Sequence, residues 1–300
     1  MAASWKQRFR LQTGLALVSL LAWSACNPPP APPNSAPPQR VVVLGPSTAE
    51  SLIALGLQDR LVGVSDYCLA PEAQHLPKLG GQLNPSTEAL AALRPDLVIT
   101  QGSFPRLQTF LSGLGIENLA FATDSWSAWR EEILLLGDRF QVESRSQDLL
   151  EAKERQLAAV RKTVAGKTPV RTVLVVSRKA TEISGLVVVG GSSFLHEMLE
   201  AAGGRNAFAE NSSPYFDLNE EALIRAAPDC ILEFDPSGSA PEKNKALELW
   251  SSTFPQLPAV QSGKIFLMKE DFLMLPGPRM PAIAAAMAER LHLPAGEEGP

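Results

Sequence analysis

Histidine, cysteine and tyrosine are scarce in these 300 residues, at three, three and two. Each shortage closes off a kind of chemistry. A zinc centre needs several nitrogen or sulfur ligands at fixed short spacings. The run His196-Glu197-Met198-Leu199-Glu200 begins like a zinc-protease helix, but Glu200 stands where the second histidine is required. It reads as an ordinary amphipathic helix. His75 and His292 have no partners at ligand spacing. Apart from Cys26, only Cys68 and Cys230 remain. A bridge between them is one reading; two unpaired thiols, with Cys230 a small core residue, is the simpler one. No GxSxG, CxxC or GxGxxG pattern occurs. Gly190-Gly191-Ser192-Ser193 precedes a helix and could hold an anion on its free N–H groups, but it lacks the lysine of a phosphate loop, and a turn is the plainer reading.

Positive charge is also short. The formal net charge is −5, and removing residues 1–25 takes away three basic and no acidic residues, which brings it to about −8. That argues against nucleic acid as a main partner. The apolar run Leu11 to Trp23 is too short for a membrane span. Following Lys6, Arg8 and Arg10 and preceding Ser24-Ala25-Cys26, it reads as an export signal over residues 1–26. Residues 27–39 are crowded with proline and read as a stiff, extended tether. About 260 residues remain, enough for two domains of ordinary size.

What is present is a pattern written twice. Glu88-Ala89-Leu90, four residues, then Pro95-Asp96-Leu97-Val98-Ile99 is matched by Glu221-Ala222-Leu223, four residues, then Pro228-Asp229-Cys230-Ile231-Leu232. Each copy describes a helix that stops before a Pro-Asp turn and feeds an apolar strand. Ser86 and Asn219 stand two positions before the glutamates as capping residues. The spacing predicts two similar α/β lobes of mainly parallel sheet, Rossmann-like in their alternation, at residues 40–125 and 168–293. Residues 126–167 show no strand signal. Leu149, Leu150, Leu157 and Val160 share one stripe of a charged segment, which predicts a long backbone helix joining the lobes. A stiff helical connection implies small domain motion. Residues 294–300 read as a disordered tail.

Open α/β sheets bind ligands at the carboxyl ends of their strands. In the first lobe those loops hold Pro46, Ser47, Asp66, Tyr67, Gln82, Gln101 and Phe104; in the second, Tyr215, Phe216, Asp235, Phe272 and Leu273. The set mixes aromatic with amide and hydroxyl groups and has few cations, which suits a large, partly apolar ligand with hydrogen-bonding edges. Glu88 and Glu221 could each be explained by the helix dipole alone. Their matched placement, one per lobe, also suits docking onto arginine pockets of a partner.

From about Arg40 to Leu291 the chain resembles the helical-backbone (class III) substrate-binding proteins of bacterial ABC importers, the class that takes up cobalamin, haem and ferric siderophores. The resemblance rests on Arg40 to Glu50, Leu61-Val62-Gly63-Val64-Ser65-Asp66-Tyr67, Gly80-Gly81 with Asn84-Pro85-Ser86-Thr87-Glu88, and Arg94-Pro95-Asp96-Leu97-Val98. Asp66-Tyr67-Cys68 and Pro276-Gly277-Pro278-Arg279 look most like the cobalamin-binding branch. One departure is Gln82, where a tryptophan is possible in that branch. The resemblance implies a monomeric extracytoplasmic receptor that is not an enzyme. It holds a corrinoid between its lobes against Tyr67 and delivers it to an ABC permease through Glu88 and Glu221. It implies no cofactor and no metal ligand, since the corrin ring holds its own cobalt. Cys26 resembles a lipobox cysteine and implies a lipid anchor, with plain cleavage and an uncleaved anchor as alternatives.

Three rivals stand beside this reading. A ferric-siderophore or haem receptor shares the fold, and a siderophore pocket would need several arginines, for which Arg106, Arg178 and Arg279 are the candidates. A secreted two-lobed transferase would need a phosphate motif and a general base pair. A chelatase-like metal handler would need cleft histidines.

Overall fold

The structure is a computed structural model that describes residues 36–235 and 243–292. Cys26, the expected leader, residues 27–35 of the expected tether and the tail 294–300 lie outside the described residues. Within them, no helix is long and apolar enough to cross a membrane.

Val41, Val42, Val43 and Leu44 are all fully buried, so the first strand is apolar on both faces. It forms β1 (Val41–Val43) at the centre of a four-stranded sheet with β2 (Leu61–Val64), β3 (Leu97–Gln101) and β4 (Glu117–Phe121), in the order β2-β1-β3-β4. Every pairing is parallel. Successive side chains of a strand point to opposite faces. Val41 and Val43 accordingly join Leu52 of α1 (Pro46–Ala54) on one face. Val42 and Leu44 join Leu90 of α2 (Thr87–Leu93) and Leu107 and Leu111 of α3 (Pro105–Gly113) on the other. This is the β-α-β alternation expected for the first lobe.

The connection between lobes contains the expected long helix and a second helix that precedes it. Residues 126–167 form α4 (Trp126–Phe140) and α5 (Glu143–Val164), split where Gln141 takes a left-handed conformation, φ 56°. At that corner Gly137 faces Ser146, and a Cβ on Gly137 would collide with the Ser146 side chain. The 22 residues of α5 span about 33 Å. Leu157, Val160 and Val164 are its buried stripe, while Leu149 and Leu150 are half-buried. One apolar core runs without a break from Leu52 through Trp129 and Leu157 to Leu199, Leu232 and Met287.

The second sheet contains β5 (Val170–Ser177), β6 (Leu186–Val189), β7 (Gly204–Asn206), β8 (Tyr215–Leu218), β9 (Cys230–Phe234) and β10 (Ile265–Met268). The order is β10-β9-β5-β6-β8, with β7 beside β5. The pairings β5–β9, β9–β10 and β5–β7 are parallel, but β6 runs antiparallel to both β5 and β8. The stretch from Ser177 to Leu186 is too short for a crossover, so β6 must return as a hairpin. Around the sheet lie α6 (Phe194–Ala201), α7 (Glu220–Ala226), α8 (Lys243–Thr253), α9 (Pro258–Gln261) and α10 (Met280–Leu291).

The written-twice pattern is a repeat of bonds as well as letters. Ser86 Oγ accepts from Ala89 N at 3.3 Å, and Asn219 Oδ1 accepts from Ala222 N at 2.8 Å, capping α2 and α7. Both helices end on a left-handed residue just before the proline, Arg94 (φ 46°) and Ala227 (φ 40°). Asp96 N donates to Arg40 O at 2.9 Å, and Asp229 N to Arg171 O at 2.8 Å. Arg40 Nη2 donates to Leu93 O at 2.7 Å, and Arg171 Nε to Ala226 O at 2.6 Å. Each guanidinium thus satisfies carbonyls that the end of its helix leaves free.

Candidate ligand cleft

The candidate floor of the cleft lies where β1 and β3 end. Ser47, fully buried in the first turn of α1 just after half-buried Pro46, donates its hydroxyl to Gln101 Oε1 at 3.1 Å. Gln101 N donates to Gln82 Oε1 at 3.2 Å, and Gln101 Nε2 to Thr123 O at 3.4 Å. Three of the expected residues, Ser47, Gln82 and Gln101, therefore form one hydrogen-bonded group.

Helix α4 supports that floor from below. Trp129 Nε1 donates to Ser51 Oγ at 3.1 Å, and Ser51 Oγ donates to Ser47 O at 3.1 Å. Thr123 donates its hydroxyl to the Glu132 carboxylate. Burial pushes the Glu132 carboxyl above its ordinary value, with the hydroxyls of Thr123, Thr48 and Ser51 opposing the shift. Thr123 and Glu132 were not anticipated. Glu132 does lie three residues from Trp129 and four from Leu136, on the buried stripe of α4, which is the signal that could have found it.

The loop after β2 is the candidate rim. Asp66 and Gly80 clasp it: Asp66 N donates to Gly80 O at 3.0 Å and Gly80 N to Asp66 Oδ1 at 2.8 Å. Gly80 needs its positive φ of 84° there. The Tyr67 ring lies against Gly81, where a Cβ would stand 3.1 Å from a ring carbon. Tyr67 is 69% exposed, and Leu69 (54%) and Leu83 (79%) are also exposed large apolar residues of the loops around it. Leu69 is a further candidate, one that no motif marks in the sequence. Phe104 is half-buried beside Gly102 and packs on the core cluster of Leu107 and Leu111.

The second-lobe candidates divide. Tyr215 OH lies 3.3 Å from Ser193 Oγ. Burial raises the Tyr215 phenol; the Ser193 hydrogen bond opposes this and the charge of Asp124, just after β4, adds to it. Phe216 follows Tyr215 in β8 and so points the other way. It is half-buried and meets Phe208 edge-on at 5.6 Å, packed against the second lobe's own core cluster, which corrects the expectation that it lines the cleft. Leu273 is also corrected: it is fully buried in the shared apolar core. Asp235 is buried at the end of β9, where its N–H donates to Met268 O at 2.8 Å. Phe272 is half-buried under the Arg279 guanidinium, 4.9 Å from its ring centre.

The cations near the cleft are mostly cancelled. Arg279 bonds Glu50 through two nitrogens, Nε to Oε2 at 2.9 Å and Nη2 to Oε1, and reaches Asp271 through Nη1 at 2.9 Å. The Arg178 side chain is only 4% exposed and pairs with Glu233 at 2.8 Å, beneath Trp250. Arg106 is exposed on α3. Cys68 and Cys230 are free and buried, and burial pushes the Cys230 thiol up to about 12. Among the described residues no group of three or more histidine, cysteine or acidic residues could hold a metal ion. Glu88 and Glu221 are both exposed in the first turns of α2 and α7.

Residues 41–272 match the family model described as periplasmic binding protein. A cobalamin-binding protein of Halobacterium salinarum is 28% identical over 263 residues, covering 85% of this chain and 70% of that one. An uncharacterized ABC transporter substrate-binding lipoprotein of Bacillus subtilis, YvrC, is 25% identical over 264 residues, covering 85% and 80%. Among solved structures, the periplasmic haem-binding protein BhuT in complex with two haems superposes with a TM-score of 0.74 at 30% identity, covering 84% of this chain and 97% of that one. These matches are to substrate-binding transport proteins rather than enzymes, and the chain belongs to the periplasmic binding protein family.

Proposed function

We propose that this protein captures a corrinoid between its two lobes and delivers it to an ABC permease, docking through Glu88 and Glu221. The observation that carries this reading is the balance of charge at the cleft. Arg279 is matched by Glu50 and Asp271, and Arg178 by Glu233, so neither is left to face an anion. Apart from Arg106, exposed on α3, what remains is an amide and hydroxyl floor, Ser47, Gln82 and Gln101, below an exposed apolar rim, Tyr67, Leu69 and Leu83. A corrin ring edged with amides fits hydrogen-bonding amides and apolar surface. The relative from Halobacterium salinarum supports the same choice by its name. The ligand is cargo, so the protein needs no resident cofactor.

One observation favours haem as the second reading. The exposed phenol of Tyr67 is a group that can ligate haem iron, and the haem-binding BhuT is similar at 30% identity.

The anchor belongs to the same proposal. Cys26 receives lipid after cleavage and the proline-rich tether holds the body off the membrane, in keeping with the lipoprotein name of the relative from Bacillus subtilis.

Calorimetric titration with cyanocobalamin, beside an absorbance titration with haemin, tests the ligand. One-to-one binding of cyanocobalamin at sub-micromolar Kd supports the corrinoid. A haemin spectrum that changes on binding, with no heat from cyanocobalamin, overturns it in favour of haem.

A further inference from the structure

We propose that Glu50 and Arg279 act as a positioning pair that holds the second-lobe wall of the cleft on the first lobe and so sets the width of the cleft. The inference rests on the reading that a ligand lies between the lobes.

Glu50 lies one turn beyond Ser47 on α1 and is 8% exposed. A carboxylate this buried is costly unless it is paired. Its partner arrives from 229 positions away, at the start of α10. The contact is bidentate, a geometry that fixes orientation as well as distance. The same guanidinium also holds Asp271 and covers the Phe272 ring, so one side chain gathers the segment Asp271–Arg279. Leu273 and Met280 are fully buried and pin that segment to the shared core. Between them Gly277 lies in contact with Ser47, where a Cβ would stand 3.4 Å from the Ser47 Cβ. The wall that carries Phe272 is therefore seated directly on the first lobe's floor, and the Glu50–Arg279 fork is the polar bond that seats it. Loss of the fork frees the wall to lift, which widens the cleft and lets a ligand escape.

The test uses the full chain with Cys26→Ser and spin labels on Ser112→Cys and Ser252→Cys, exposed positions on α3 and α8. Buried Cys68 and Cys230 are poor labelling sites. Pulsed electron resonance reads the distance between lobes without any ligand. Glu50→Gln and Arg279→Gln are expected to broaden and lengthen that distribution. Arg279→Lys, which keeps the charge and loses the fork, should fall between them and the parent. Cyanocobalamin should leave Glu50→Gln at least about tenfold faster than it leaves the parent. Should Arg279→Gln fail to fold, the near-isosteric Glu50→Gln decides alone. A Glu50→Gln distribution that superimposes on the parent's overturns the proposal. If the parent takes up no cyanocobalamin, the ligand reading falls, and the distance measurement still decides the brace.

Discussion

Trp126 donates its backbone N–H to the Glu197 carboxylate at 2.7 Å, so a residue of α6 caps the first turn of α4 from 71 positions away. Ser125 caps the same helix from within, accepting from Ala128 N at 3.0 Å. A carboxylate at a helix N-terminus meets both free N–H groups and the positive end of the dipole. Glu197→Ala should cost about 1–2 kcal/mol of stability. Urea unfolding should show a lower midpoint at unchanged slope; a midpoint within error of the parent's would remove Glu197 from this role.

Glu132 should make stability depend on pH. Its folded carboxyl titrates above the ordinary value of 4.5, so the folded state holds a proton that the unfolded state releases. The associated stability is full below about pH 4.5 and is lost as pH rises from there through the raised value. Glu132→Gln mimics the protonated acid and should flatten that slope, so that it gains on the parent as pH rises. Melting temperatures across pH 4 to 8 check this, and parallel curves for the two proteins would contradict it.

Tyr67 and Phe216 should separate function from stability. Tyr67→Ala removes an exposed ring and should weaken cyanocobalamin binding at least tenfold, about 1.4 kcal/mol, with little change in melting temperature. Phe216→Ala removes a half-buried ring packed on Phe208 and should cost about 1–3 kcal/mol while leaving the affinity of the folded protein unchanged. Paired calorimetry and thermal melts give both numbers.

Docking through matched carboxylates predicts a transport defect without a binding defect. The double variant Glu88→Lys, Glu221→Lys should bind ligand normally and fail to support uptake of labelled cobalamin. Normal uptake by that variant would remove the docking assignment.

The anchor is read most simply from the cell. Cys26→Ser should move the protein from the membrane fraction to the soluble fraction and abolish incorporation of labelled palmitate. Retention in the membrane with no label in either protein would point to an uncleaved apolar leader instead.

The repeated α/β unit was readable because its signals are local: a capping residue, a helix, a Pro-Asp turn and an apolar run. Ser47, Gln82 and Gln101 were found together because strand ends converge in this kind of sheet. The break at Gln141 left no such mark, since a left-handed helix end is usually announced by glycine. Phe216 failed because a shift of one residue along a strand exchanges faces, and composition cannot tell β8's two sides apart. Glu50, Glu132 and Glu233 were passed over for a shared reason. A charged letter suggests solvent, and all three carboxylates are buried, Glu50 and Glu233 beside arginines distant in the chain and Glu132 beside the Thr123 hydroxyl, whose approach depends on how α4 folds back on β4.

The unbroken core from Leu52 to Met287 makes the two lobes one thermodynamic body. Neither half, released by a cut at the Gln141 corner, would retain that core whole, because its members lie on both sides of the cut, Leu52 and Trp129 before it and Leu157, Leu199 and Met287 after it. Two such fragments should be found only as a reassembled complex, and the intact chain should melt in a single cooperative step. A duplicated unit has thereby become indivisible: its two copies keep the same bonds at their outer ends and have given up their independence along the helices that join them.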